Sequence, residues 1–411
     1  MKYSILVLTF LALPLQATEK CSIEHLKPGA PVPWVNLDHR LAPENLRYGL
    51  QSNGHFMPRQ RIRTAVKASV LSPVAKQLNM AEIKANDPLD QKERSLDFLL
   101  DSRLYADGVL ILQNGRILAE KYWNGLDTGQ ARLLLSATRP ILSLMGVLAI
   151  NEGKLQAPRS VASHIPALSQ EAALRKLSIR RLLEGDKKFL WTTAELENWQ
   201  QAGGWKLGKT NGLRNWLNQP GRLEKEWGDN TSPLDATSPD DDLLAWALSE
   251  TYHAPLAQIF CEDILSRMRP EYPAFWLTDP AGTELSSGLA LSLRDFARLG
   301  QLLIDARGSG SRIPPWFIET LTTPASRGPT AQLGLEGLEK GSEFRYGFIR
   351  LGGAPNRVAI LGPYGNSLYL DFDHQLVVAI YASFPRNHSP AMLATLEQIW
   401  KALASANKAG S

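Results

Sequence analysis

The alternation of hydrophobic and polar residues first becomes regular between residues 107 and 125. Two β-rich runs there flank Asn114-Gly115, a pair that favours a tight hairpin turn, so a β-hairpin is predicted. From Ser136 to about Glu152 the apolar residues instead recur with helical spacing, and a glycine follows directly. The pattern therefore predicts a strand pair followed closely by a buried helix.

The chain after this helix is mostly helical and loop-rich up to about residue 340. Strand-like runs return over 343–385, and a helical run over 391–403 follows them. Strands on both sides of a helical insertion predict one sheet built from both ends of the chain, in the α/β (α+β) class. The expected divisions are a lead-in at 18–100 and a domain at 101–411, with a mostly helical lobe at 136–340 and a return to the sheet at 341–411.

The first 17 residues have the pattern of a secretory signal peptide. Lys2 supplies the positive charge, residues 5–13 the apolar core, and Leu15-Gln16-Ala17 a cleavage site. The apolar run is too short to cross a bilayer as a helix. We therefore expect an exported protein, periplasmic or secreted, with no transmembrane segment in the mature chain.

The amino-acid composition argues against nucleic acid and metal ions as partners of this protein. The 411 residues are 44% hydrophobic, which is enough for a large core. The net charge is only +4, and the sequence contains no basic run typical of nucleic-acid-binding proteins. Cys21 and Cys261 are the only cysteines, and the sequence leaves open whether they pair. No CxxC, zinc-binding or HExxH spacing occurs, so neither a metal nor another cofactor is expected.

Ser136 stands directly before the predicted helix. By position alone it is either a helix N-cap or a nucleophile in the field of the helix N-terminus. The segment "LSATRPILSLMGVLAINEGKLQAPRSVASHIPAL" resembles the first motif of the serine β-lactamase and penicillin-binding-protein superfamily. It is closest to the class C-like branch that includes esterases and nylon-oligomer hydrolases. The segments "LSIRRLLEGDKKFLW" and "WLTDPAGTELSSGLALSLRDFARLGQLLIDAR" resemble later parts of the family in the same order.

The resemblance implies an antiparallel sheet flanked by helices, a mostly helical lobe, and three active-site motifs. Ser136 takes the position of the nucleophile, with Arg139 where the family has a lysine. Tyr252 opens the second motif, in which Ala254 replaces a serine or asparagine. The third motif is a turn that binds substrate and supplies a backbone N–H to an oxyanion hole. It falls on Gly362, Pro363, Tyr364, Gly365 and Asn366.

Two of these positions depart from the family. Arginine does not lose its proton in proteins, so Arg139 can orient groups and stabilise negative charge but cannot act as a base. Tyr252 is then the one motif residue that can act as a base. Because a nearby guanidinium favours the phenolate, we expect Arg139 to lower the pKa of Tyr252, which would then deprotonate Ser136. His253 is expected at the pocket rim or on the surface. The tryptophan-rich stretch at 199–219 either lines a substrate cleft or anchors core and loops.

Two functions remain open at this point. The first is an exported serine hydrolase that cleaves an amide or ester of a small or peptide-like substrate through a Ser136 acyl-enzyme. The second is a catalytically impaired protein that keeps the fold for binding or for a role in the cell envelope, which Arg139 and Ala254 favour. β-Lactamase activity itself is less expected, because the third motif lacks a lysine or histidine to meet a substrate carboxylate.

Overall fold

The computed structural model describes residues 20–30, 32–185, 187–229, 234, 238–324 and 334–408. The segment with the signal-peptide pattern lies outside these ranges. The strands, in chain order, are β1 (Cys21–Leu26), β2 (Arg59–Thr64), β3 (Lys84–Asn86), β4 (Glu93–Ser95), β5 (Ala106–Gln113), β6 (Arg116–Tyr122), β7 (Arg132–Leu133), β8 (Lys187–Phe189), β9 (Trp227–Asp229), β10 (Ala274–Thr278), β11 (Glu284–Leu291), β12 (Glu343–Arg345), β13 (Phe348–Arg350), β14 (Arg357–Leu361), β15 (Ser367–Asp371) and β16 (Leu376–Ala382).

The helices alternate with short 3-10 and π segments. In chain order they are α1 (Leu46–Gln51), α2 (Leu96–Phe98), α3 (Arg139–Asn151), α4 (Ala172–Lys176), α5 (Ile179–Glu184), α6 (Thr193–Ala202), α7 (Leu213–Leu217), α8 (Pro239–Tyr252), α9 (Leu256–Phe260), α10 (Ser266–Met268), α11 (Leu293–Asp305), α12 (Pro315–Thr322) and α13 (Pro390–Lys408). Within the described ranges, none of them combines the length and the apolar character that crossing a membrane requires.

The larger sheet joins the two ends of the domain, as the sequence predicts. Its seven strands run in the order β12-β13-β14-β15-β16-β5-β6, and every neighbouring pair is antiparallel. At the β5–β6 turn, Asn114 has a φ of 49° and Gly115 a φ of 71°. Two successive left-handed residues are what a two-residue hairpin turn of this kind requires, so the predicted hairpin is confirmed.

A second sheet corrects the expectation of a single one. Its order is β1-β2-β10-β11-β7, so strands of the lead-in pair with strands from inside the predicted helical lobe. All eight residues of β11 are buried, which leaves no alternation of polar and apolar positions to indicate a strand. The lead-in is therefore an integral part of the folded body.

Helices cover both faces of the seven-stranded sheet. On one face α11 packs closely, because a Cβ at Gly300 would lie 2.7 Å from Val377 Cγ1. On the other face α13 stacks Trp400 on Tyr369, with ring centroids 5.2 Å apart. The result is a helix–sheet–helix sandwich with one hydrophobic cluster on each side of the sheet.

The two cysteines, whose pairing the sequence leaves open, form a disulfide in the structure. The Cα atoms of Cys21 and Cys261 are 6.1 Å apart. The bond ties β1 to the π-helical segment Cys261–Leu265, which follows α9. The lead-in is thus attached to the helical lobe both by strand pairing and covalently.

Candidate active site

Ser136 lies on a tight turn between the second sheet and helix α3. The N–H of Leu134 donates to the carbonyl of Leu289 in β11 at 2.9 Å, which fixes the start of the turn. Leu135 then adopts a φ of 51°, a conformation that is strained for a bulky side chain. The 3-10 turn Leu135–Thr138 carries Ser136 and runs directly into α3. The serine therefore lies immediately before the helix N-terminus on a rigid support.

The hydroxyl of Ser136 is buried and unpaired. The residue is 9% exposed, and its Oγ has no hydrogen-bond partner among the described residues. Buried hydroxyl groups in folded proteins are normally hydrogen-bonded, so an orphaned one calls for an explanation. Thr138 and Ser143 also have buried, unpaired hydroxyl groups, so what distinguishes Ser136 is that it also lines a cavity.

Ser136 forms part of the wall of a cavity of about 310 Å³. The wall combines segments that are far apart in sequence. Its members include Arg40, Ser136, Trp199, Trp205, Lys206 and Tyr364. Two interpretations of the tryptophan-rich stretch were left open by the sequence. Trp199 and Trp205 line this cavity, as the first interpretation predicts. Trp216 instead packs against Trp191, with centroids 5.6 Å apart.

The structure brings the third predicted motif next to the serine. A Cβ at Gly362 would lie 3.0 Å from Ala137 Cβ, so this glycine permits a close approach to the Ser136 turn. Tyr364, at a φ of 64°, lines the cavity. Gly365 and Asn366 support the turn from behind: a Cβ at Gly365 would lie 3.0 Å from Ala382 Cβ, and Asn366 Oδ1 accepts the N–H of Ala382 at 3.2 Å.

Arg139 is held by an ion pair and by helix carbonyls. Its Nε lies 2.8 Å from Asp241 Oδ1, with both side chains largely buried. Its Nη2 donates to the carbonyls of Leu182 and Leu183 at the end of α5, at 2.5 and 3.2 Å. Its Nη1 is buried without a partner among the described residues. Arg139 is thus a fixed cation one helical turn after Ser136.

The acidic run 240–242 at the start of α8 supplies Asp241 and also positions the cavity wall. Asp242 accepts the indole N–H of Trp199 at 2.7 Å. Burial raises the pKa of Asp241 to about 7, against the opposing effect of Arg139, and raises the pKa of Asp242 to about 6. Sequence analysis missed these residues because acidic residues in a first helical turn are usually exposed and complement the helix dipole.

Tyr252 lies elsewhere. Its hydroxyl donates to Asp263 Oδ2 at 3.0 Å, and Lys154 Nζ lies 4.2 Å from its ring centroid. Lys154 follows the C-terminus of α3, whereas Ser136 precedes its N-terminus, and a helix of 13 residues is about 20 Å long. Burial and Asp263 raise the pKa of Tyr252. The expected lowering of this pKa by Arg139 is therefore wrong.

The other residues of the predicted second motif follow Tyr252 away from the cavity. His253 is exposed and ends α8 in a left-handed conformation with a φ of 51°. Ala254 donates its N–H to the carbonyl of Ser249 at 3.2 Å. The structure thus groups Ser136 with the third motif and separates both from the second.

Comparison with solved structures gives the fold. A Bacillus anthracis protein described as a 6-aminohexanoate-dimer hydrolase matches 93% of this chain and 99% of its own, at 18% identity and a TM-score of 0.75. The hydrolase EstCE1, which has promiscuous acyltransferase activity, matches 75% of this chain and 95% of its own, at 16% identity and a TM-score of 0.56. A Bacteroides dorei protein described as a β-lactamase matches 76% of this chain and 98% of its own, at 12% identity and a TM-score of 0.53.

The fold is that of the serine β-lactamases and transpeptidases. No protein-family model and no curated protein matches the chain, and the identities to solved structures are low, so the likeness carries the fold alone. EstCE1 and the Bacteroides protein leave about a quarter of this chain unmatched.

Proposed function

We propose that this protein is an exported serine hydrolase that cleaves an amide or ester bond through an acyl-enzyme on Ser136. The observation that carries the proposal is the buried, unpartnered Ser136 Oγ at the wall of a cavity. The backbone N–H of Ser136 and one from the Gly362–Asn366 turn would stabilise the oxyanion formed from the substrate carbonyl. Solved structures of the same fold that are described as hydrolases support the same reaction class.

The proposed chemistry uses Tyr364, which lines the same cavity as Ser136, for proton transfer. The two hydroxyl groups are not hydrogen-bonded in the structure, so the transfer requires them to approach each other when substrate binds. Ser136 Oγ attacks the carbonyl carbon and passes its proton to the Tyr364 oxygen, while the Tyr364 proton moves to the departing nitrogen or oxygen. The bond to that atom breaks, and water then releases the acyl group by the reverse transfers. Burial raises the pKa of Tyr364, so its phenol holds a proton to donate at neutral pH. Arg139 remains charged and orients the turn.

Export is supported by two independent features of the chain. Residues 1–17 have the signal-peptide pattern, and Cys21 and Cys261 form a disulfide of the kind that persists in oxidising compartments. The cavity of about 310 Å³ suits a small-molecule or peptide-like substrate.

Intact-mass analysis with a fluorophosphonate probe and an acyl donor tests this function. The wild-type protein is expected to gain one adduct, and Ser136→Ala none. Ser143→Ala is the matched control, because Ser143 is another buried serine of α3 whose hydroxyl has no partner among the described residues. Tyr364→Phe should slow turnover of the acyl donor.

Two results would overturn the proposal. Labelling that survives in Ser136→Ala would place the nucleophile elsewhere. An adduct in Arg139→Lys but none in the wild type would identify an assembled yet impaired site, and therefore a binding protein.

A further inference from the structure

A second cavity shares helix α6 with the Ser136 cavity but has none of its lining residues. Its volume is about 890 Å³. Trp199 and Gln200 of α6 line the Ser136 cavity, whereas Asn198 and Gln201 line the second one. Most of the remaining wall comes from α7 and from the loops on either side of α7. The two cavities are therefore separate sites on neighbouring surfaces.

Carboxamides form the largest group of side chains in the wall of this second cavity, which we call the amide cavity. Its charged members are Lys209 and Arg222, and no carboxylate lines it among the described residues. The aliphatic members of the described wall are only Ala202 and Pro280. A wall of this composition suits a ligand that is rich in hydroxyl groups and carries no positive charge. The carboxamides belong to Asn198, Gln201, Asn211, Asn215 and Gln219.

Contacts within the wall hold several of its polar groups in fixed positions. Asn215 Nδ2 donates to the carbonyl of Asn211 at 2.7 Å, which leaves Asn215 Oδ1 as an acceptor for a ligand. The Arg222 guanidinium carbon lies 4.5 Å from the Trp216 ring centroid, and the guanidinium donates to Gln219 Oε1. Gln219 Nε2 is thereby left as a donor. Fixed donors and fixed acceptors thus occur in the same wall, and each sugar hydroxyl group can use both.

The indole N–H of Trp216 is a further donor in this wall. Trp216 is 6% exposed, and its Nε1 is buried without a partner among the described residues. Trp400 shares this property but stacks on Tyr369 in the core. Buried N–H groups are normally paired, so the Trp216 donor is available to a ligand that enters the cavity. Other tryptophans do donate to described acceptors, namely Trp191, Trp199, Trp246 and Trp276.

We propose that the amide cavity binds an oligosaccharide without positive charge, whose hydroxyl groups donate to and accept from the carboxamides. A peptide fits less well, because none of the described lining residues belongs to a strand to which an extended chain could add. A lipid chain would need a larger apolar wall. Small-molecule sites have volumes of about 300–1,000 Å³, so this cavity can hold more than one sugar ring. The site goes beyond the proposed hydrolase function and does not depend on it.

Calorimetric titration of the wild-type protein with neutral tetrasaccharides tests the site. The probes are cellotetraose, maltotetraose, mannotetraose and chitotetraose, and at least one should bind with a Kd of about 1 mM or lower. The tetramer of glucosamine has an ammonium group in place of each C2 hydroxyl of cellotetraose. It should bind about tenfold more weakly than the best neutral probe, because Lys209 and Arg222 repel it.

Substitutions in the wall test the assignment of the ligand to this cavity. Asn215→Ala and Gln201→Ala each remove one carboxamide and should weaken binding about fivefold, and the two together more than tenfold. Both side chains are at least partly exposed, so the variants should fold, and a thermal melt checks this. Asn218→Ala is the matched control, because Asn218 is an exposed asparagine directly after α7 that does not line the cavity. It should bind like the wild type.

Three results would contradict the inference. Failure of every neutral tetrasaccharide to bind would overturn the saccharide site. Binding that Asn215→Ala and Gln201→Ala leave unchanged would place the ligand elsewhere on the molecule. Tightest binding by the glucosamine tetramer would refute the charge argument. Because Ser136 does not line the amide cavity, none of these results would decide the hydrolase proposal.

Discussion

The ion pair between Arg139 and Asp241 lies one helical turn after Ser136, and the protonation of Asp241 should be visible in the stability of the whole protein. The Asp241 side chain is 13% exposed, and its Oδ1 lies 2.8 Å from Arg139 Nε. Burial outweighs this attraction and raises the pKa of the carboxyl from 3.8 to about 7. The substitution Asp241→Asn keeps the shape of the side chain and removes its titration.

The direction of the pH effect on stability depends on how the pKa of Asp241 differs between the folded and the unfolded chain. In the unfolded chain Asp241 ionises near pH 4, whereas in the folded chain it keeps its proton until about pH 7. Its contribution to stability is therefore fully present below pH 4 and is lost as the pH rises through 7. Between pH 5 and pH 8 that loss amounts to about 2–3 kcal/mol in the free energy of unfolding.

Urea unfolding at pH 5 and pH 8 measures the effect. From pH 5 to pH 8 the wild-type protein should lose about 2–3 kcal/mol more stability than Asp241→Asn. In Arg139→Met the loss should extend to higher pH, because the cation that favours ionisation is gone. Asp127→Asn, at an exposed site, is the control and should match the wild type. Equal pH dependence of the wild type and Asp241→Asn would refute the reasoning, since it would show that Asp241 is already ionised at pH 5.

Two further changes test the framework that positions the Ser136 turn. Arg132→Met breaks a fully buried ion pair, in which Arg132 Nη1 lies 2.7 Å from Asp107 Oδ2. The substitution should reduce the free energy of unfolding by about 3–5 kcal/mol in urea titrations, and a loss below about 1 kcal/mol would contradict this. Replacing Cys21 and Cys261 by serine opens a loop spanning a sequence separation of 240 residues and should reduce it by about 2–5 kcal/mol. Alkylation of the unfolded, unreduced wild-type protein should add no mass, and one or two alkyl groups would show free thiols.

The larger sheet could be predicted from the sequence because its turns and strands are marked by short stretches of sequence. The Asn114-Gly115 turn and the strand-like runs after residue 343 can be recognised within a few residues, and both were confirmed. Strands β10 and β11 were missed because β11 is buried throughout and therefore shows no alternation. The pairing of β2 with β10 depends on contacts between distant segments, which no local pattern encodes.

The candidate site divides in the same way. Ser136 and the Gly362–Tyr364 turn carry motif signals, and the structure brings them together. Tyr252 matched a short motif, yet it lies near the opposite end of α3, because three residues are too few to specify a spatial position. Arg40 could not be placed in the cavity wall in advance, since its position depends on contacts with Trp205, which lies far along the chain.

The contribution of lead-in residues to the wall of the Ser136 cavity has a consequence for how the protein folds during synthesis. Residues from Asp38 to Asn387 meet in one cavity, so nearly the whole chain must be synthesised and folded before the cavity can close. A nascent chain that has been synthesised only as far as the helical lobe would contain Ser136 but would lack Pro363 and Tyr364, which form another part of the cavity wall. Proteolytic removal of the lead-in would open the opposite side while leaving the seven-stranded sheet complete. The cavity around the Ser136 hydroxyl is therefore complete only once the chain from Asp38 to Asn387 has folded.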